Sequence, residues 1–463
     1  MDTLDKNENL TPAQIQMKSE KMWLLVLKYS IPTIIGMLVN ALYVTIDRFW
    51  VGRLPGESGA LGLAAIGLSV PIMNMMLAFA QLIAIGAATT ISIALGKKDK
   101  ELAERLLHNS IMLSVLAAVF LNIVVFVFAE YILRFLGAND AVMVYALPYT
   151  RITASSALFY VLALNLSSTI RATGNIKIFA FTKLMAAVIN MILDPIFIFT
   201  FGLGIQGAAY ATIVAQFSIA LFTIIYYYRD KVDLKIRRSG FKFSYEETKK
   251  ILSIGISPFL MTASASIVTA IANIQIIRHA GIEFGSGDVG IGAMAIISGV
   301  GMIFFMPIIG INQGVQPIIG FNYGYKNYSR FKEAYKWAVI YGAAICLLGS
   351  ILVTLFPVQI VSIFSSDPLL IEVASEGMRI FLIALPFVAI QSISANLFQA
   401  IGQPKISIFL SALRQIILLI PLYIILPRFL GMTGIWIAGP AADTLAIVVT
   451  LFFVVKKMNS IKD

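Results

Sequence analysis

Twelve apolar runs constrain this chain of 463 residues more than any other feature it has. They read as 24–52, 61–96, 103–128, 141–171, 176–201, 205–228, 251–279, 291–322, 331–356, 369–401, 406–427 and 433–455. Each exceeds the roughly 20 residues that an α-helix needs to cross a bilayer. Lipid offers no partner for backbone N–H and C=O groups, so a spanning segment of this length closes its own hydrogen bonds as a helix. Hydrophobic residues form 59% of the chain and charged ones 13%, with a mean hydropathy of +0.87, outside the range of a soluble domain. The expected fold is an all-α polytopic membrane protein with about twelve transmembrane helices.

A net charge of +11 would suit nucleic acid, but its placement argues otherwise. With the N-terminus inside, Lys and Arg gather in the N-terminal tail (Lys6, Lys18, Lys21, Lys28) and in the even-numbered joints. These include Lys97, Lys98, Lys100 and Arg105, then Arg171, Lys177 and Lys183, then Lys326, Arg330, Lys332 and Lys336. The odd joints carry few, chiefly Arg53, Arg134 and Arg428. This positive-inside bias predicts a multi-pass protein of the cell membrane with both termini cytoplasmic. No nucleic-acid partner is needed. One cysteine, Cys346, excludes an internal disulfide, and two histidines, His108 and His279, argue against a histidine-built metal centre. No phosphate-cradling loop or nucleophile motif occurs, so neither ATP nor enzymatic chemistry is expected, and no cofactor. The polar first 20 or so residues hold no cleavable apolar core, so the first membrane helix is expected to serve as the insertion signal. Thr11 and Pro12 read as an N-cap and first helical residue of a short surface helix.

The chain aligns with itself at an offset of about 228 residues. Gly86 falls on Gly314, Gly96 on Gly324, Arg151 on Arg379, Gly174 on Gly402 and Lys177 on Lys405. Six helices is an even number, so both halves enter from one side and form a parallel repeat with a cavity between them. The expected organisation is a cytoplasmic segment 1–23, a six-helix bundle 24–228, a cytoplasmic linker 229–248, a second six-helix bundle 249–456 and a tail 457–463.

Chemistry concentrates between Lys183 and Gln216. Asp194 falls in an almost wholly apolar helix, where a carboxylate is costly and marks a functional site by default. Asn190 lies one turn earlier on the same face, and Pro195 is expected to kink the helix and free a backbone oxygen beside the acid. Thr212 returns on the next helix to the same level. On the first helix Asn40, Tyr43 and Asp47 share one face. The repeat gives these acids no counterpart: Asp47 maps to Gln275 and Asp194 to the neighbourhood of Pro421 and Leu422. The second half instead carries Arg414 and Asp443, about ten residues inside their helices, read as a structural ion pair. Plainer readings stand beside these. Asp194 could bond Asn190 and brace the bundle, Asp47 could pair with Arg48 near the outer surface, and Thr212 could bond its own backbone. Methionines such as Met73, Met75, Met76, Met185 and Met191 read as packing or as an adaptable ligand wall.

Together these residues resemble the multidrug and toxic compound extrusion (MATE) transporters, within them the DinF-like and MepA-like prokaryotic branch. The resemblance rests on the two six-helix bundles, Pro32 and Asp47 in the first helix, Gly174 and Gly402 at matched loops, and Asn190, Asp194, Pro195 and Thr212 in series. It implies a secondary active antiporter exporting amphipathic organic cations in exchange for H⁺ or Na⁺, acting as a monomer. Asp47, Asn190, Asp194 and Thr212 would hold the coupling ion, a proton or Na⁺, with Asn40, Tyr43 and Met191 in the adjoining cavity wall. Other branches carry an acid in the seventh or tenth helix; none is usable here. The alternative is a lipid-linked saccharide flippase of the same superfamily, which would want a cavity lined by arginines rather than by Asp47 and Asp194. A membrane-embedded enzyme or receptor is the third reading.

Overall fold

The structure is a computed structural model that describes residues 11–229, 234–237 and 240–461. Lys6, part of the linker 229–248 and the last two residues of the tail 457–463 lie outside the described residues. Its elements are helices throughout: α1 (Pro12–Ser19), α2 (Met22–Gly52), α3 (Ser58–Gly96), α4 (Lys100–Phe135), α5 (Asp140–Ser155), α6 (Ala157–Ala172), α7 (Ile176–Pro195) and α8 (Ile205–Tyr227) in the first half. The second half holds α9 (Tyr245–Phe284), α10 (Gly287–Gly324), α11 (Tyr328–Leu355), α12 (Pro357–Ser362), α13 (Pro368–Leu382), α14 (Leu385–Ala400), α15 (Pro404–Ala412) and α16 (Ile420–Ser460). Nine helical stretches are long and apolar enough to cross a bilayer unaided. Two bent pairs, α5 with α6 at 47° and α13 with α14 at 45°, supply one crossing each. The longest stretch, Pro404–Ser460, departs from helical geometry at Gly431 (φ 55°, ψ −137°) and folds α16 back on itself, so it makes two. The described residues therefore give the twelve crossings that the apolar runs predict.

The repeat is visible in backbone geometry. Gly204, at the turn into α8, has φ 55° and ψ −139°, the same left-handed conformation as Gly431 in the second half. A residue with a Cβ is strained there, which explains a glycine at both chain reversals. The halves meet where α3 runs along α9 and α2 along α10. At one end the repeat becomes a contact: a Cβ on Gly96 would strike the carbonyl of Phe321, and a Cβ on Gly324 would strike that of Ile93. Ile93 and Phe321 are themselves repeat equivalents, so the two helix ends cross with near two-fold symmetry and seal the interface. α1 reinforces that end, capped by Thr11 and Gln14 and tied to the second half through Asn322 and Arg330, which both donate to the carbonyl of Met17. His108 holds the linker, accepting from the backbone of Arg237 at 2.9 Å through Nε2.

Two prolines behave differently from simple kinks. Pro32 sits inside an unbroken α2, where the Thr33 hydroxyl lies 2.7 Å from the carbonyl of Ser30 and 2.6 Å from that of Gly310. After Pro195 the chain widens into a π-helical turn, Ile196–Thr200, and α7 with this turn remains one span. The expected kink is thus a change of helical pitch. The widened turn follows the proline, while the turn before it, which carries the ring's clash and missing N–H, stays α-helical.

A leucine at the crossing should overpack the sealed end by about 1–3 kcal/mol. In a Cys346→Ala background, Gly324→Leu is expected to raise maleimide labelling of a cysteine placed at Ser92 by about tenfold. Unchanged labelling would show that this close approach is not the seal.

Candidate substrate cavity and ion site

Two cavities lie within the membrane-spanning part. The smaller, about 80 Å³, is enclosed by the first half, and its wall includes Asn40, Tyr43, Lys183, Asn190, Thr212 and Gln216. α7 and α8 position its polar edge: Asn190 Nδ2 donates to Thr212 Oγ1 at 3.3 Å. One turn deeper, Asp194 is fully buried, and neither of its carboxylate oxygens has a hydrogen-bond partner. Oδ1 of Asp47, on α2, is buried and unbonded as well, as are Asn190 Oδ1 and Gln216 Oε1. Asp47 and Asp194 lie close enough to act on each other electrostatically, and both act on Tyr43 of α2 and Tyr149 of α5.

The geometry bears on each plainer reading. Asn190 spends its amide on Thr212 and none on Asp194, so the acid is not braced by that bond. Asp47 forms no ion pair with Arg48, whose side chain is exposed. Thr212 accepts from a neighbouring helix. Met191 is half-buried and lines neither cavity, so its assignment to the substrate wall is corrected: successive residues of a helix point apart, and the Asn190–Asp194 face turns it away. Asn40 and Tyr43 wall the small pocket only. Five side-chain oxygens of α2, α7 and α8, three of them from the two carboxylates, are therefore buried without donors, a set suited to a proton or a hard monovalent cation. Among the described residues no three His, Cys, Asp or Glu side chains group closely enough to hold a metal ion.

The larger cavity, about 720 Å³, lies between the halves and is lined from α3, α6 and α7 on one side and α9, α10, α14 and α16 on the other. Its size suits a drug-like molecule. Its apolar wall includes Phe179, Met261, Met302 and Phe305, and amides such as Gln81, Asn312, Gln391 and Gln415 are interspersed. Four charged residues line it: Arg171, Lys183, Arg414 and Asp443. Arg414 Nε donates to Asp443 Oδ1 at 2.5 Å, so that pair neutralises itself. Neither Asp47 nor Asp194 reaches this lining. They sit within the first bundle, where α2, α7 and α8 pack together.

Arg171 and Lys183 were counted above as loop charges. The structure places both on helices, Arg171 only 2% exposed and Lys183 on the walls of both cavities. The signal was present in the spacing, since Lys183, Asn190 and Asp194 fall at intervals of seven and four on one face of α7. Counting Lys and Arg by joint hid it.

Twelve crossings in two repeated halves with a large cavity between them are the architecture of a membrane transporter. The chain belongs to the MatE family of such transporters, whose model matches residues 32–196 and 262–425, one segment in each half. It is 27% identical over 431 residues to the multidrug export protein MepA of Staphylococcus haemolyticus, covering 93% of either chain. Among solved structures it resembles the outward-facing conformation of a multidrug resistance MATE family transporter of the MOP superfamily, with a TM-score of 0.89, 26% identity and coverage of 98% and 99%. It resembles equally a MOP superfamily transporter from Pyrococcus furiosus, described as having a binding pocket of reverse polarity that suggests a different function (TM-score 0.89, 26% identity, coverage 98% and 100%).

Removing one member of the buried ion pair should leave an uncompensated charge. Arg414→Leu is expected to cost about 3–5 kcal/mol, whereas Arg414→Leu with Asp443→Leu should be near neutral. Thermal unfolding of the purified variants checks this, and additive losses in the double variant would show that the two side chains do not act as a pair.

Proposed function

We propose that this protein is a multidrug exporter that moves amphipathic small molecules out of the cell in exchange for H⁺ or Na⁺ entering through the first half. The observation that carries the coupling site is Asp194: both carboxylate oxygens are buried without a donor, within electrostatic reach of Asp47. Such a pair cannot stay doubly charged cheaply in a poorly solvated site, so it takes up a proton or a dehydrated Na⁺. Asn190 and Thr212 complete the ligand set, and Asn40 and Tyr43 wall it.

The large cavity is the substrate chamber. Bundles 24–228 and 249–456 act as units joined by linker 229–248, and alternation is the rocking of one against the other. The sealed end carries Lys97, Lys98 and Lys326, which the positive-inside bias assigns to the cytoplasm. On that reading the described conformation is the outward-facing one, and the protein works in the cell membrane with both termini inside. Energy comes from the ion gradient, about 2.3 kcal/mol per charge per 100 mV for the electrical part.

One observation favours a second reading, a flippase for a lipid-linked saccharide: the chamber displays unpaired cations and no unpaired carboxylate.

In proteoliposomes, uptake or release of a fluorescent drug driven by an imposed pH or Na⁺ gradient should fall to background in Asp194→Asn, with drug binding retained. The gradient that drives the parent identifies the ion. Transport by Asp194→Asn at the parent rate would remove this carboxylate from the coupling site.

A further inference from the structure

We propose that Arg171 and Lys183 form an anion subsite in the central cavity, so that the exported molecule is amphipathic with a carboxylate, sulfonate or phosphate group. The inference deepens the proposed function and rests on the large cavity being the substrate chamber.

The argument begins with an imbalance. Arg171 and Lys183 both lie over the ring of Phe179, with Cζ at 5.3 Å and Nζ at 5.7 Å from its centroid. Two like charges are thereby held beside one aromatic face, Arg171 in the last turn of α6 and Lys183 two turns into α7. Both share that ring as a cation–π partner. Arg171 donates through Nη1 to the backbone carbonyl of Gln313 at 2.6 Å, while its Nε is buried and has no partner. Lys183 has no hydrogen bond or ion pair with any described residue, and the charge that acts on it is that of Arg171. Mid-membrane cations ordinarily pair with an acid. The second half of this same chain does so, because Arg414 takes Asp443. The first half has two acids with buried oxygens, Asp47 and Asp194, and neither reaches the chamber that these cations face.

A structural role does not account for this arrangement. A lysine that merely supports packing would reach for the membrane surface or for a carboxylate. Lys183 does neither, and an incoming anion would meet a donor from Arg171 and the ammonium of Lys183 in a low-dielectric wall, where charge-assisted bonds are strong. The apolar wall of Phe179, Met261, Met302 and Phe305 would take the hydrophobic part of the same molecule. Adaptable methionine and aromatic surfaces accept varied shapes, so the cations specify charge and leave the scaffold free.

The test is equilibrium binding to the full-length protein in nanodiscs. The probes are a dansylated long-chain carboxylate, its methyl ester as the uncharged control, and ethidium as a cation. The carboxylate is expected to bind more tightly than the ester. Lys183→Gln should weaken the carboxylate about tenfold, a change of about 1.4 kcal/mol, and leave the ester unchanged; Lys183→Arg should restore affinity. Arg171→Gln should act in the same direction, and Lys183 variants keep the test decisive if the buried arginine is needed for folding. Competition by a short-chain polyprenyl diphosphate, but not by free carboxylates, would assign the anion to a lipid carrier; competition by free carboxylates would assign it to a soluble amphiphile. Equal binding of carboxylate and ester by the parent, or a Lys183→Gln variant that binds the carboxylate as the parent does, would overturn the proposal. Failure of the exporter reading is distinguishable, since it appears as gradient-independent transport with Lys183-dependent binding intact.

Discussion

A charge placed in the low-dielectric interior of a membrane protein must find an opposite charge, a proton, an ion or a ligand. This chain meets that constraint in three ways. In the second half Arg414 and Asp443 cancel each other across the π-helical turn Leu413–Leu419 and α16. In the first half both carboxylate oxygens of Asp194 and Oδ1 of Asp47 are buried without a hydrogen-bond partner. Facing the chamber, Arg171 and Lys183 have no acid. The same helix, α7, carries Lys183 toward the large cavity and, three turns on, Asp194 into the bundle.

Repeat and asymmetry have separate physical origins. What the halves share is backbone: the left-handed glycines at Gly204 and Gly431, the bent pairs α5/α6 and α13/α14, and the reciprocal approach of Gly96 to Phe321 and Gly324 to Ile93. These features set where helices cross and reverse, and either half serves the fold equally. Side-chain chemistry differs. Asn190 and Thr212 join α7 to α8 by a neutral bond, while Arg414 and Asp443 join the corresponding pair of crossings by an ionic one. A neutral bond beside unbonded acids can rearrange when a cation arrives; an ion pair resists rearrangement. On the proposed function, movement linked to an ion would belong to the first half, and the second would offer a firmer surface to rock against.

Much of the fold was legible because lipid simplifies the code. Apolar run length gives the crossings, and a 228-residue offset gives the repeat. Gly96 and Gly324 were matched from sequence, but their role as a mutual crossing was not, because contacts between halves depend on helix tilt. Asn190, Asp194 and Thr212 were legible by helical spacing. Lys183 obeys the same spacing, at seven residues before Asn190, and was obscured by the habit of assigning cations near a joint to water. Helix α7 begins at Ile176, so Lys183 already lies two turns inside it. Which cavity each polar residue faces was not legible, since it depends on rotation of α2 and α7 about their axes. Composition predicts acids in this membrane domain without saying that they turn from the chamber.

That rotation changes how coupling has to work. Had Asp47 and Asp194 faced the chamber, a coupling cation and a cationic drug could have displaced one another from the same carboxylates. With the acids enclosed in the first bundle, the proposed ion and the proposed substrate would occupy different sites and exclude one another only if binding at one alters the other. Lys183 is placed for that task, because its side chain walls both the small pocket and the chamber. Neutralising the acids removes the negative field on one side of this lysine and leaves its charge more available on the other. α2 supplies a second route: Asp47 lies on it, and it packs along α10 through Thr33 and Gly310 at the interface between halves. In the proposed coupling, ion binding at Asp47 and Asp194 would reach the chamber wall through Lys183 and the seam between the halves through α2, where Thr33 bonds the carbonyl of Gly310.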